Sequence, residues 1–157
     1  MKRTLFIALA CLGAAAAQAQ LTVTDPWIRA TVPQQKATGL FVQLQSAKDA
    51  KLIGASSPLT PTVEVHEMAV QDNVMKMRQV PAVDLPAGKT VELKPGGYHV
   101  MLMDLKQQVK AGDTVPVTLQ IEGKDGQRQS VEVNALVRPL NAAAPVAPAA
   151  AHGEHKH

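Results

Sequence analysis

Short stretches of alternating or β-branched apolar residues, separated by turn-forming residues, run from Leu21 to about Leu140. Each is four to nine residues long, the length of a strand rather than of a helix. The pattern predicts strands at Leu21–Thr24, Gly39–Ser46, Lys51–Ala55, Thr62–Val70, Val74–Val80, Thr90–Leu93, Tyr98–Leu105, Thr114–Ile121 and Ser130–Val137. Val42, Gln43, Leu44 and Gln45 alternate apolar and polar, as a half-buried strand does. Val115-Pro116-Val117 carries a proline, which removes a ladder donor and marks an edge or a strand start. Lys124-Asp125-Gly126 reads as a hairpin turn. No long stretch has helical period and no repeat of fixed length occurs. So many short strands in one domain-sized stretch predict an all-β sandwich.

Both ends depart from this pattern. Lys2 and Arg3 precede an apolar Ala- and Leu-rich run from Leu5 to Ala17, and Ala17-Gln18-Ala19 is a small-x-small cleavage site. The run is shorter than the roughly 20 apolar residues of a spanning helix. Residues 1–19 are therefore expected to be a cleavable export signal, with Gln20 as the mature N-terminus and the periplasm as the destination. Cys11, the one cysteine, lies inside that signal. A lipid-bearing Cys11 is the weaker alternative, because Ala8-Leu9-Ala10 is a poor lipobox. After cleavage no thiolate nucleophile, thiolate ligand or disulfide remains. From Asn141 to Ala151 the chain is almost entirely Ala and Pro, a composition with too little bulky apolar surface to offset its ordering entropy. The chain thus divides into a signal (1–19), a sandwich domain (20–140) and a disordered linker and tail (141–157) that ends in His152, His155 and His157.

Charge narrows the partners. The net +3 falls to +1 once Lys2 and Arg3 are removed, which leaves 14 basic against 13 acidic residues. With Trp27, Phe41 and Tyr98 the only mature aromatics and no basic stripe, no nucleic-acid partner is expected. No stable membrane insertion of the mature chain is expected either.

The distribution of histidine and methionine changes the picture most. All five mature methionines (Met68, Met75, Met77, Met101 and Met103) fall within one third of the domain, and two histidines, His66 and His99, fall among them. Residues two apart on a strand share a face. His66 and Met68 therefore share one, as do Met75 and Met77, and His99, Met101 and Met103. A turn centred on Asp72-Asn73 would set Met68 opposite Met77, Val70 opposite Met75 and Glu67 opposite Arg78, with His66 diagonal to Met77. Thioethers are neutral, soft ligands that favour Cu(I), and imidazole strengthens such a site. Methionine is also a common core filler, but two His-x-Met segments on separate strands favour a metal site.

The spacing of His66, ten residues, Met77, twenty-one residues, His99, one residue, Met101 resembles the signature of the periplasmic copper chaperone A (PCuAC-type) family. The surrounding His66-Glu67-Met68, Val74-Met75-Lys76-Met77-Arg78, Leu93 to Met103 and Trp27-Ile28-Arg29-Ala30 are similar too. The resemblance covers about Leu21 to Leu140. It implies a cupredoxin-like (Ig-like) sandwich and a Cu(I) site near solvent, with His66, Met77, His99 and Met101 as ligands. It further implies delivery of copper toward cytochrome c oxidase assembly, to an oxidase subunit or a Sco-type thiol protein. Met68, Met75 and Met103 are auxiliary candidates. His152, His155 and His157 form a candidate second site for Cu(II), as the His-rich tails of some family members do.

Competing functions fare less well. A blue-copper electron carrier needs a cysteine thiolate, which the mature chain lacks. No Gly-x-Ser-x-Gly, His-Glu-x-x-His or P-loop motif marks an enzyme, so none is expected. A sequestering protein without an acceptor and a metal-free structural sandwich remain as alternatives.

Overall fold

The computed structural model describes residues 20–141 and contains strands and turns without a helix. The expected signal, Cys11 and the three tail histidines lie outside the described residues. Ten strands follow one another: β1 (Leu21–Arg29), β2 (Thr38–Ser46), β3 (Ala50–Ser56), β4 (Thr62–Gln71), β5 (Val74–Gln79), β6 (Val83–Leu85), β7 (Thr90–Leu93), β8 (Tyr98–Met103), β9 (Thr114–Gly123) and β10 (Arg128–Arg138). One continuous ladder runs β5-β4-β8-β2-β1-β10-β9-β3-β6, with β7 paired to β2. All pairings are antiparallel except β1 with β10.

The ladder folds over on itself because alternate residues of nearly every strand are apolar and need a common interior. Ile28, Leu40, Leu44, Leu52, Val65, Leu85, Leu93, Val100, Leu102, Val117, Leu119 and Ile121 meet in a single core, and every strand but β5 contributes to it. This is the expected all-β sandwich. The core holds no methionine: its large side chains are Leu, Ile, Val and the ring pair Trp27 and Phe41.

Two strands, β1 and β6, depart from those expected. β1 continues past Pro26 to Arg29, by a bulge between Thr24 and Trp27 that puts Asp25 at φ 52. β6 is a three-residue strand between Pro81 and Pro86 that pairs only with β3. β7 and β8 run in one line along β2, β7 against Val42–Gln45 and β8 against Thr38–Leu40. The intervening Lys94–Gly97 loops out of that line, closed by Lys94 N–H to Tyr98 O at 2.9 Å and Gly97 N–H to Lys94 O at 3.0 Å, with Gly96 at φ 85. Pro116 sits in an interior strand, but β3 stops pairing at Thr118, so the missing N–H falls where β9 is locally an edge.

Candidate metal centre

The β4–β5 hairpin is set by its turn. Asp72 (φ 53) and Asn73 (φ 61) both take left-handed backbone, as the two central residues of a type I′ turn must, and Asp and Asn are among the few residues that tolerate it. The register follows: Met68 opposes Met77, Val70 opposes Met75 and Glu67 opposes Arg78. Each of these pairs was expected from the sequence. The Glu67–Arg78 ion pair closes on the face away from the methionines, exposed enough to contribute little to stability.

β8 brings in the second half. His66 and His99 are direct cross-strand partners, and Glu64 faces Met101 in the same pairing. The inward residues of β8, Val100 and Leu102, are fully buried in the core and fix which way His99, Met101 and Met103 point. The two imidazole centroids lie 6.0 Å apart. His99 Nε2 lies 3.3 Å from Met77 Sδ. On its other side the His99 ring stands 6.3 Å from the Phe41 ring, which packs on Trp27 at 4.6 Å. His99, Met68, Met101, Phe41 and Arg29 line a hollow of about 270 Å³ together with Pro95 and Gly96 of the extruded loop. Gly39, opposite Met101, has no room for a side chain, since a Cβ there would meet the Phe41 ring at 2.9 Å.

The hydrogen bonds define which nitrogens are free. His99 Nδ1 lies 3.0 Å from Gly97 O, which can only accept, so Nδ1 carries the proton and Nε2 presents a lone pair to Met77 Sδ. Gly97 O also takes the Met68 N–H at 3.2 Å and so ties the loop to β4. His66 Nε2 lies 2.7 Å from Glu64 Oε2, while His66 Nδ1 is buried with no hydrogen-bond partner. Burial pushes His99 below the usual imidazole value; the hydrogen bond to Gly97 opposes this and the neighbouring His66 adds to it. Burial and the facing His66 thus favour the neutral imidazole of His99.

This donor set fits a soft monovalent ion. Two donors on one tetrahedral ion, at nitrogen and sulfur distances like those at zinc, stand about 3.5 Å apart. The Nε2–Sδ separation of 3.3 Å is close to that, so the two atoms are spaced as co-ligands of one ion would be. The orphaned His66 nitrogen lacks a partner that an ion would supply. Met77 is 48 % exposed, so an ion held there would be within reach of another protein.

Of the seven residues singled out in the domain, the structure groups five: His66, His99, Met77, Met101 and Met68. Met75 opposes Val70 and Met103 opposes Thr62, each four residues from His66 along β4 in opposite directions, or about 13 Å of strand. Glu64 escaped the sequence reading, although the same two-residue period that joined His66 to Met68 also places Glu64 on that face. Among the described residues no group of three His, Cys, Asp or Glu side chains could hold a metal ion. No described helix is long and apolar enough to cross a membrane.

Known proteins match this picture. The profile of the family described as "Putative lipoprotein LpqE-like" matches residues 21–137. Lxx21020 of Leifsonia xyli subsp. xyli is 31% identical over 112 residues, a match spanning 71% of this chain and 66% of that protein. The chain thus spans just under two thirds of the length of that relative. Among solved structures, the copper-bound PCuAC domain from PmoF2 is 26% identical with a TM-score of 0.60, covering 76% of this chain and 92% of that one. The Cu(I) form of DR1885 from Deinococcus radiodurans is 34% identical with a TM-score of 0.56, covering 79% of this chain and 83% of that one. These likenesses, the cupredoxin-like sandwich and the profile match over nearly the whole domain make this chain a member of the LpqE-like (PCuAC-type) family.

Proposed function

We propose that the protein is a periplasmic copper chaperone that holds one Cu(I) ion through His66, Met77, His99 and Met101 and passes it to an acceptor, in the assembly of the copper centres of cytochrome c oxidase. The observation that carries this reading is the placement of the methionines. None of the described methionines is in the core, where gap-filling would put them; instead Met68, Met77 and Met101 gather around two imidazoles, His66 with an unpartnered Nδ1 and His99 with its Nε2 turned to Met77 Sδ. The copper-bound PmoF2 domain and Cu(I)-DR1885 support copper as the cargo. Neutral ligands suit a carrier, since they hold Cu(I) less tightly than the thiolates of a Sco-type acceptor. Catalysis has no part in this reading.

Mixing the Cu(I)-loaded protein anaerobically with a copper-free Sco-type protein should move most of the copper to the acceptor once the two are separated by chromatography. Copper retained by the donor would favour sequestration without an acceptor.

Residues 1–19 act in this reading as the export signal, with Cys11 removed rather than lipidated. His152, His155 and His157 form a separate Cu(II) site beyond the Ala/Pro linker. Deleting residues 141–157 should abolish its electron paramagnetic resonance signal and leave Cu(I) binding and the apo melting temperature nearly intact. A full Cu(II) signal in the truncated protein would rule the tail out as that site.

A further inference from the structure

The two histidines are held by opposite ring nitrogens. His99 gives its Nδ1 to a backbone carbonyl and turns Nε2 toward Met77 Sδ. His66 does the reverse: Nε2 is engaged by Glu64 Oε2, and Nδ1 is buried and unpartnered. We propose that Glu64 is a positioning residue that locks His66 in its Nε2–H tautomer, so that His66 takes Cu(I) through Nδ1 while His99 takes it through Nε2. This rests on the copper-site reading above.

A carboxylate only accepts hydrogen bonds, so the nitrogen 2.7 Å from Glu64 must donate. A neutral imidazole has one N–H, and its position on Nε2 leaves the lone pair on Nδ1. A buried lone pair with no donor is unfavourable unless something else fills the place, and a cation does so. Strand geometry supplies the rest: Glu64 shares a face with His66 two residues on, and it opposes Met101, itself a proposed ligand. Glu64 thus sits on the strand of one proposed ligand and opposite the other in the ladder. A carboxylate on the far nitrogen of a ligating imidazole fixes its orientation, raises its basicity and commonly affects metal affinity tenfold to a hundredfold. Here it also sets a negative charge beside an ion whose four ligands are neutral.

Ag(I), a Cu(I) stand-in with nuclear spin one half, gives a direct readout. In the full-length protein labelled with ¹⁵N-histidine, long-range ¹H–¹⁵N spectra should show apo His66 as the Nε2–H tautomer. On adding Ag(I), silver–nitrogen coupling should appear at His66 Nδ1 and His99 Nε2. Glu64→Gln, whose side-chain carbonyl still accepts the bond, should preserve both patterns. Glu64→Ala should lose the fixed tautomer and weaken Cu(I) binding by about tenfold to a hundredfold, with the apo melting temperature little changed. Coupling at His66 Nε2, or unchanged affinity in Glu64→Ala, overturns the proposal and leaves the copper site standing. Coupling at neither histidine overturns the copper site as well.

Discussion

Replacing Met77 and Met101 together by leucine yields a folded domain that no longer holds Cu(I) well. Leucine nearly matches methionine in volume, and such swaps cost less than about 1.5 kcal/mol even in a packed core. Neither residue is in the core: Met77 lies on an edge strand half open to solvent, and Met101 is partly exposed beside Gly39. Thermal unfolding of the apo variant should follow wild type within a few degrees. The ion loses both thioethers of its proposed four-ligand set and keeps only imidazoles. A loss of at least roughly 3 kcal/mol corresponds to more than about a hundredfold in affinity. The separation of the two effects is the informative part, since a methionine that only packed would change stability and leave copper alone.

Acid should release the ion. Imidazole ligates only when neutral, and its ordinary value is about 6.5. His99 lies below that value, chiefly because it is buried and additionally because His66 faces it, against the opposing pull of the Gly97 carbonyl. Cu(I) affinity should therefore be nearly flat above about pH 6.5 and fall below it, by up to about tenfold per pH unit for each imidazole that must shed a proton. The stability of the apo domain has the same sign. An unfolded chain protonates this residue at the ordinary value, before the folded one does, so the unfolded state binds more protons in the window between. The contribution is present in full above about pH 6.5 and is lost as the pH falls through the lower folded value. Affinity measured from about pH 8 to about pH 5 checks this, and a flat profile would mean that neither histidine is a ligand.

The half of the site on the β4–β5 hairpin was legible because two local rules settle it. Asp72-Asn73 names the turn, and the turn names the register, down to the Glu67–Arg78 pair on the far face. The direct pairing of His66 with His99 was not legible, since strand order between distant segments leaves no trace in local pattern. β6 escaped because three residues between prolines carry no period. The continuation of β1 past Pro26 depends on a bulge whose cause is tertiary, the pairing of Trp27 with Phe41 and Leu136. Two-residue periodicity placed Met75 and Met103 on the right face but said nothing of distance along the strand, and both stand well away from the imidazoles. Glu64 went unremarked because a single carboxylate on a strand reads as solvated surface until its partner is seen.

The claim that His66, Met77, His99 and Met101 together hold one Cu(I) is tested most directly by anaerobic titration against a chromophoric Cu(I) chelator. Wild type and the Met77→Leu/Met101→Leu protein are compared at matched concentration near neutral pH. The account predicts that wild type withdraws one equivalent of Cu(I) from the chelator and that the variant competes more than about a hundredfold less well. Equal competition by the two proteins would contradict it.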